Sequence, residues 1–472
     1  MKHWFPLFLT SWTLCLSVWS AENVVKTWPA PEGEKVTGVY TVTVDGKPVD
    51  VYAAQSEYFE GDYYFAYFDF SGKVTVDVKS SFPMAQTELL PQRFGFSLQK
   101  SADSVQFVAD KPFRVSIEPN GRIKPLLLFG NALETDVPQP NDPNVRYFGP
   151  GVHKADKITL SDNQTLYLAG GAVVHGSIQA TGKNITIRGR GILTGESYPR
   201  FSGPGRFPLY CQNCENVVVR DIILRDPWSW TAVTWNCDGV LIDGLKICGS
   251  RMLNDDALDL VNTQNAVVRN CFFRSQDDCI AIKGKETSRQ PCENILIEDC
   301  QFWVDVANIY RIGYECDTET MKNIVSRRID VLHYSKNFHP LDYYWVTAIF
   351  WLQPNLNMLM EECHFEDVVI HSNGSPIHML MAKPMRCFYG PYKKDKNFEP
   401  GRVRNCTFKN VRVVGKDDSR FKGTIFIQGD SPKHSVEGLK FENITYFGTP
   451  ITKDSECVQI GNHSREIEFS AP

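Results

Sequence analysis

Two short stretches carry the residues most able to do chemistry. "LNDDALDL" spans 253–260 and "SQDDCIAI" spans 275–282. Each sets two adjacent aspartates before a short apolar run. Crowded carboxylates repel, so such a group persists where a cation or a reaction uses it. Two uses suit it. A calcium ion takes several hard oxygens. Hydrolysis of a glycosidic bond takes one protonated and one ionised carboxyl, and crowding raises one pKa while leaving another low.

The elements that must position these acids are legible from a repeat. "NITIRGRGIL" from Asn184, "NVVVRDIIL" from Asn216 and "DGVLIDGLKI" from Asp238 share one pattern. "NAVVRNCFF" from Asn265, "NILIEDCQF" from Asn294 and "NIVSRRIDV" from Asn323 continue it, at intervals of 32, 22, 27, 29 and 29 residues. Each copy is a β-branched run, a polar turn and a second apolar run, with no helical segment. A repeat of this length means a solenoid. Propeller blades need longer intervals and leucine-rich repeats need another spacing, so a parallel β-helix is predicted. Its turn asparagines are expected to stack in ladders. Residues 36–130 instead alternate as short strands with regular turn signals, which reads as a β-sandwich. We divide the chain into a leader (1–20), a sandwich (21–133), a Pro/Asn/Asp-rich linker (134–144) and a β-helix (145–472).

On the coil, Asp256 and Asp278 lie 22 residues apart, which aligns Leu258 with Ile280 and Leu260 with Ile282. The acid motifs then occupy one strand position of consecutive coils, about 4.8 Å apart, with the apolar residues pointing inward. Adjacent side chains face opposite ways along a strand, so the paired acids belong at the bend where the strand begins. One Asp-Asp pair is ordinarily a solvated turn; two in the same register predict that Asp256, Asp277 and Asp278 converge on one patch. Alternation places Asp259 and Lys283 outward beside them, as substrate contacts or as a plain salt bridge. Arg311, Tyr314 and Glu315 fall on the next coil and are candidates to line the cleft. Trp230, on the preceding side with Trp228, is a candidate to stack on a sugar ring or to pack internally. Tyr343, Tyr344 and Trp345 read as a loop over the groove. His333 and His339 read as structural.

These motifs resemble known families. "NDDALD" followed by "SQDDCIAI" is similar to the N-T-D and Q-D-D-C motifs of glycoside hydrolase family 28, the polygalacturonases. The layout of a β-sandwich before a β-helix resembles family 49, the dextranases and isopullulanases. "TLYLAGGAVVHGSI", "GRGILTGESY" and "FWVDVANIYRIGYE" are similar to that family's coils. The resemblance implies a right-handed parallel β-helix, with Asp277 as general acid and Asp256 and Asp278 as the acids that hold and activate water. It implies inversion by a single displacement, with acid and base roughly 6.5–9.5 Å apart. It implies no cofactor and no metal. The polygalacturonase G-H-G and R-I-K motifs are absent; "YRIGYE" keeps Arg311 and Ile312 but has Gly313 where lysine would stand.

Composition bounds the alternatives. The chain has 472 residues, 42% hydrophobic and 22% charged, enough for a large core. A net charge of -5, with no Lys/Arg run, argues against a nucleic-acid partner. Residues 1–20 read as an export signal, with Lys2 and His3 before an apolar run and Val18 and Ser20 before a cleavage point at Ala21. No other segment reads as a membrane span, so a secreted or periplasmic protein is expected. Fourteen cysteines, thirteen without Cys15, cannot all pair within one chain. Cys271, Cys300, Cys363 and Cys406 share one register and read as stacked buried thiols; Cys211 and Cys214 read as a disulfide or a buried pair rather than a metal site. A polysaccharide or oligosaccharide hydrolase is the expected function, against a calcium-dependent lyase or a non-catalytic carbohydrate-binding β-helix. The sequence leaves the sugar, endo or exo action and the oligomeric state open.

Overall fold

The computed structural model describes residues 23–58, 61–285, 290–341, 346–385, 399–415 and 420–470. The proposed export signal and the 343–345 loop tip lie outside them. The N-terminal strands form two sheets, one of six strands and one of five. Their facing sides share one core, in which Val42, Val76 and Val78 meet Phe68, Phe113 and Leu126. From Val145 onward, 29 strands join into one continuous, almost wholly parallel sheet that coils through the rest of the chain. This is the parallel β-helix expected from the repeat. No helix among the described residues is long and apolar enough to cross a membrane.

Each coil contributes to three ladders. The first runs through Ala232–Trp235, Leu258–Val261, Ile280–Lys283, Tyr310–Ile312 and Ala348–Leu352. The second runs through Asp238–Asp243, Gln264–Arg269 and Cys292–Glu298. The third runs through Ile223–Arg225, Lys246–Cys248, Phe272–Ser275 and Gln301–Val304. Period-two alternation decides which side chains enter the solenoid: Leu258, Leu260, Ile280, Ile282, Tyr310 and Ile312 of the first ladder all lie in its core.

Asparagines turn the corner into the second ladder. Asn184, Asn216, Asn265, Asn294 and Asn323 all have φ between 50° and 57°, a left-handed conformation that asparagine tolerates better than most residues. Their amides stack as expected: Asn294 Nδ2 donates to Asn265 Oδ1 at 3.0 Å and Asn323 Nδ2 to Asn294 Oδ1 at 2.7 Å. Asn294→Ala should lose both bonds and strain the turn, costing about 1–3 kcal/mol. Asn294→Gly should recover the backbone share. Chemical denaturation of the three proteins checks this, and equal midpoints for the alanine and glycine variants would contradict it.

The strand Tyr63–Ser71 is apolar on both sides, which is how a strand reads when layers cover both of its faces. Tyr64, Ala66 and Phe68 point into the sandwich core. Tyr63, Phe65 and Tyr67 point the other way, onto Val173, Ile192, Ile223, Phe272 and Trp303 of the third ladder. Charges cross the same seam. Asp69 receives Arg190 Nε at 2.7 Å, and His333 Nε2 lies 2.9 Å from both carboxylate oxygens of Glu118. Burial pushes Glu118 up to about 8 and holds His333 well below its ordinary value. His333 is thus an interface residue. The sandwich covers the third ladder and leaves the outer face of the first for other uses.

The twelve cysteines among the described residues are all free, and eleven of them are buried. Cys211 and Cys214 are two buried thiols rather than a disulfide. Cys271, Cys300, Cys363 and Cys406 lie in the solenoid core, filling it as small apolar side chains.

Candidate active site

The acids sit where the chain leaves the third ladder and enters the first. Leu258 pairs with Ile280 and Leu260 with Ile282, the register the 22-residue offset predicts. Ala257 N donates to Asp278 O at 2.8 Å, so the two acid motifs lie one strand spacing apart at their bends. Asp256 and Asp278 are buried, whereas Asp277 is half-buried.

Each acid has a different environment. Asp278 Oδ1 accepts two bonds from Asn308 on the next coil, from its backbone N at 3.1 Å and from its Nδ2 at 2.7 Å. Asp256 Oδ2 accepts from Lys283 Nζ at 3.1 Å. Burial pushes Asp256 up to about 6, against the pull of Lys283 and with the repulsion of Asp278. Asp277 has no cation within ion-pair distance among the described residues. Burial, then the charges of Asp256 and Asp278, hold its carboxyl well above the usual carboxylate range. Burial and like-charge crowding therefore favour the protonated form of Asp277.

Lys283 organises the floor of the site. Its Nζ lies 2.8 Å from Asp259, 3.1 Å from Asp256 and 3.7 Å from Glu315. Burial works against its charge, but those three acids raise its pKa well above the ordinary lysine value. Glu315 also pairs with Lys285 at 3.1 Å. Burial alone would raise Glu315; Lys283 and Lys285 hold it below its ordinary value.

For two residues that the sequence left open, the structure shows internal contacts. Trp230 has one face stacked on Phe207, centroids 5.4 Å apart, and Lys283 Nζ 3.6 Å from its ring centroid. Buried in these contacts, it packs internally beside Lys283. Asp259 points outward as alternation requires, yet it is fully buried beneath Lys283 and acts as its counter-ion. Arg311 follows Asp259 and Ala281 along the outer row, before Trp351. Its guanidinium carbon lies 3.7 Å from the Trp351 centroid and 4.1 Å from that of Tyr314. Its Nε and Nη2 have no hydrogen-bond partner among the described residues. Trp228 is buried against Tyr198.

One member of the first motif was not singled out from sequence. Asp255 turns away from the patch and is fully buried. Its Oδ1 accepts from Gln276 N at 2.6 Å and Asp277 N at 3.2 Å, and its Oδ2 from Ser250 N at 2.6 Å. The residue pattern did not separate it from Asp256, because its partners are backbone N–H groups.

Coils carrying acid motifs in this register have a recognised counterpart. Residues 158–304 match the model of glycosyl hydrolases family 28. The matched span includes Asp256, Asp277 and Asp278. A curated relative, "Putative galacturan 1,4-alpha-galacturonidase C" of Aspergillus niger, is 25% identical over 221 residues. That match covers 41% of this chain and 50% of the relative, so the chain spans about half the length of the curated protein it matches. Among solved structures, Dex49A from Penicillium minioluteum is similar over 94% of this chain and 96% of its own, with a TM-score of 0.69 and 14% identity. At that identity the likeness is one of fold, and it extends over sandwich and solenoid together. A family 28 exopolygalacturonase of Yersinia enterocolitica is 16% identical over 95% of each chain, with a TM-score of 0.49.

Proposed function

We propose that this protein is a secreted glycoside hydrolase that cleaves an α-linked polysaccharide, of dextran, pullulan or galacturonan type, with inversion at the anomeric carbon. The observation that carries the reading is the unequal environment of three carboxylates on consecutive coils. Asp277 is half-buried, raised in pKa and without a cation at ion-pair distance among the described residues; Asp256 is ion-paired and Asp278 doubly hydrogen-bonded. The family 28 match over the same coils supports it.

In this reading Asp277 donates its proton to the glycosidic oxygen as the bond to the anomeric carbon breaks. Asp256 and Asp278 orient a water on the opposite face of the ring and take its proton as it attacks. Lys283, 3.1 Å from Asp256, favours the ionised form of Asp256. Arg311, 3% exposed, adds a positive charge one coil on.

The test is a panel of dextran, pullulan and galacturonan, followed by proton NMR of the first products. Oligosaccharides or monosaccharides with a new reducing end should appear, initially as the β-anomer. Initial α-anomer would replace inversion with retention. Unsaturated, ultraviolet-absorbing products would indicate a lyase, and binding without release would indicate a non-catalytic module.

A further inference from the structure

The turn 249–256, which delivers Asp256 to the patch, is pinned from two sides. On one side stands the sandwich. Tyr63 OH donates to Gly249 O at 2.7 Å, Glu57 N donates to Ser250 O at 3.0 Å, and Ser56 Oγ lies 3.3 Å from Ser250 Oγ. On the other side stands Asp255, which receives Ser250 N and also the backbone N–H groups of Gln276 and Asp277. Ser250 Oγ further donates to Asp305, whose other oxygen receives Trp303 Nε1 at 2.7 Å. The Arg274 guanidinium, bonded to Asp305, lies 4.0 Å from the Tyr63 ring centroid.

This turn needs external support. Ser250 has φ 81° and Asn254 φ 71°, left-handed conformations that cost energy in residues other than glycine and persist where surroundings over-determine them. Ser250 is the residue gripped from both directions: its carbonyl by the sandwich, its N–H by Asp255. An unbroken chain of bonds therefore runs from the strand Tyr63–Ser71 through Gly249 and Ser250 to Asp255, and from Asp255 to the backbone of Asp277.

We infer that the N-terminal sandwich is a positioning element of the acid centre, with Tyr63 and segment 55–57 fixing the turn and Asp255 transmitting that placement to Asp277. This rests on the reading of Asp256 and Asp277 as the acids of glycoside cleavage. Asp255 and Tyr63 are positioning residues: both are sealed from solvent and touch no substrate. A displacement of the reacting groups by about 1 Å is enough to cost about 10²-fold in rate.

The experiment compares Tyr63→Phe, Asp255→Asn, their double variant and Asp277→Asn in the full chain. It uses dextran, pullulan and galacturonan, with rates normalised to the folded fraction from near-ultraviolet circular dichroism. Tyr63→Phe keeps the ring beside Arg274 and deletes only the O–H. It should lower kcat about 3- to 10-fold, with KM within about 2-fold of the parent. Asp255→Asn places an amide against Ser250 N–H or loses the pair on Gln276 and Asp277; it should lower kcat about 10²-fold, again at near-constant KM. Acting through one relay, the two changes should combine to less than their product.

Parental kcat per folded molecule in both single variants would overturn the inference, as would losses confined to KM or to the melting temperature. If Asp255→Asn does not fold, Tyr63→Phe decides alone by the same criterion. Asp277→Asn separates the two levels. If it is inactive while the positioning variants run at full rate, only the inference fails. If it is fully active, or the parent cleaves none of the three polymers, the reading of the acid centre fails and the inference with it.

Discussion

Asp277→Asn is expected to lower kcat about 10³-fold, about 4 kcal/mol of transition-state stabilisation, while KM stays within a few-fold of the parent. Asparagine keeps the shape and the acceptor that receives Asp278 N at 3.0 Å. What it lacks is the proton. The leaving oxygen must then depart as an alkoxide or draw on water, so the loss falls on bond cleavage rather than binding. Aryl glycosides with good leaving groups need less protonation, and the deficit should shrink on them. Reducing-end release from the polymer beside release of the aryl group checks both statements. A deficit equally large on both substrates would remove Asp277 from the acid role.

Lys283→Met should have the largest effect on stability, about 3–5 kcal/mol at neutral pH. It removes a cation shared by Asp256, Asp259 and Glu315 and leaves buried acids facing one another. The pH dependence follows from the direction of the shifts. Asp256 and Asp259 are already raised, mainly by burial, and Lys283 is the group that pulls them down. Without it they rise further. A carboxyl whose folded pKa lies above its unfolded value, near about 3.9, favours the folded state below that pH and loses the advantage as pH climbs through the folded value. The variant should therefore come closest to the parent near about pH 4 and fall away from it towards pH 7. Denaturation midpoints of both proteins across that range test this, and a gap that widens towards acid would contradict it.

How much of this was legible beforehand depended on the range over which a residue's environment is set. The solenoid was legible because β-branched runs and left-handed asparagines repeat along the chain, and because Leu258 and Ile280 share a phase with their acid neighbours. The approach of Asp256 to Asp278 needed only that phase. Alternation also sent Asp259 and Lys283 outward. It could not say that Trp230, at the equivalent bend of the preceding coil, would lie against Lys283, because side-chain direction at a bend does not follow strand alternation. "YYFAYFDF" was read as one more sandwich strand, although apolar residues on both of its faces signalled a second layer. Asp255 was missed because its partners are backbone N–H groups, two of them on the next coil, which no side-chain pattern advertises.

The outer row of the first ladder has a consequence for how such a chain diversifies. Val233, Asp259, Ala281, Arg311, Trp351 and Met381 succeed one another along the axis, one per coil, each flanked by residues committed to the interior. Exchanging a member of that row leaves the inward residues of its own coil and the backbone pairing of its neighbours untouched. In the proposed reading, a lineage could alter Arg311 or Trp351 while Asp256, Asp277 and Asp278 stay in place.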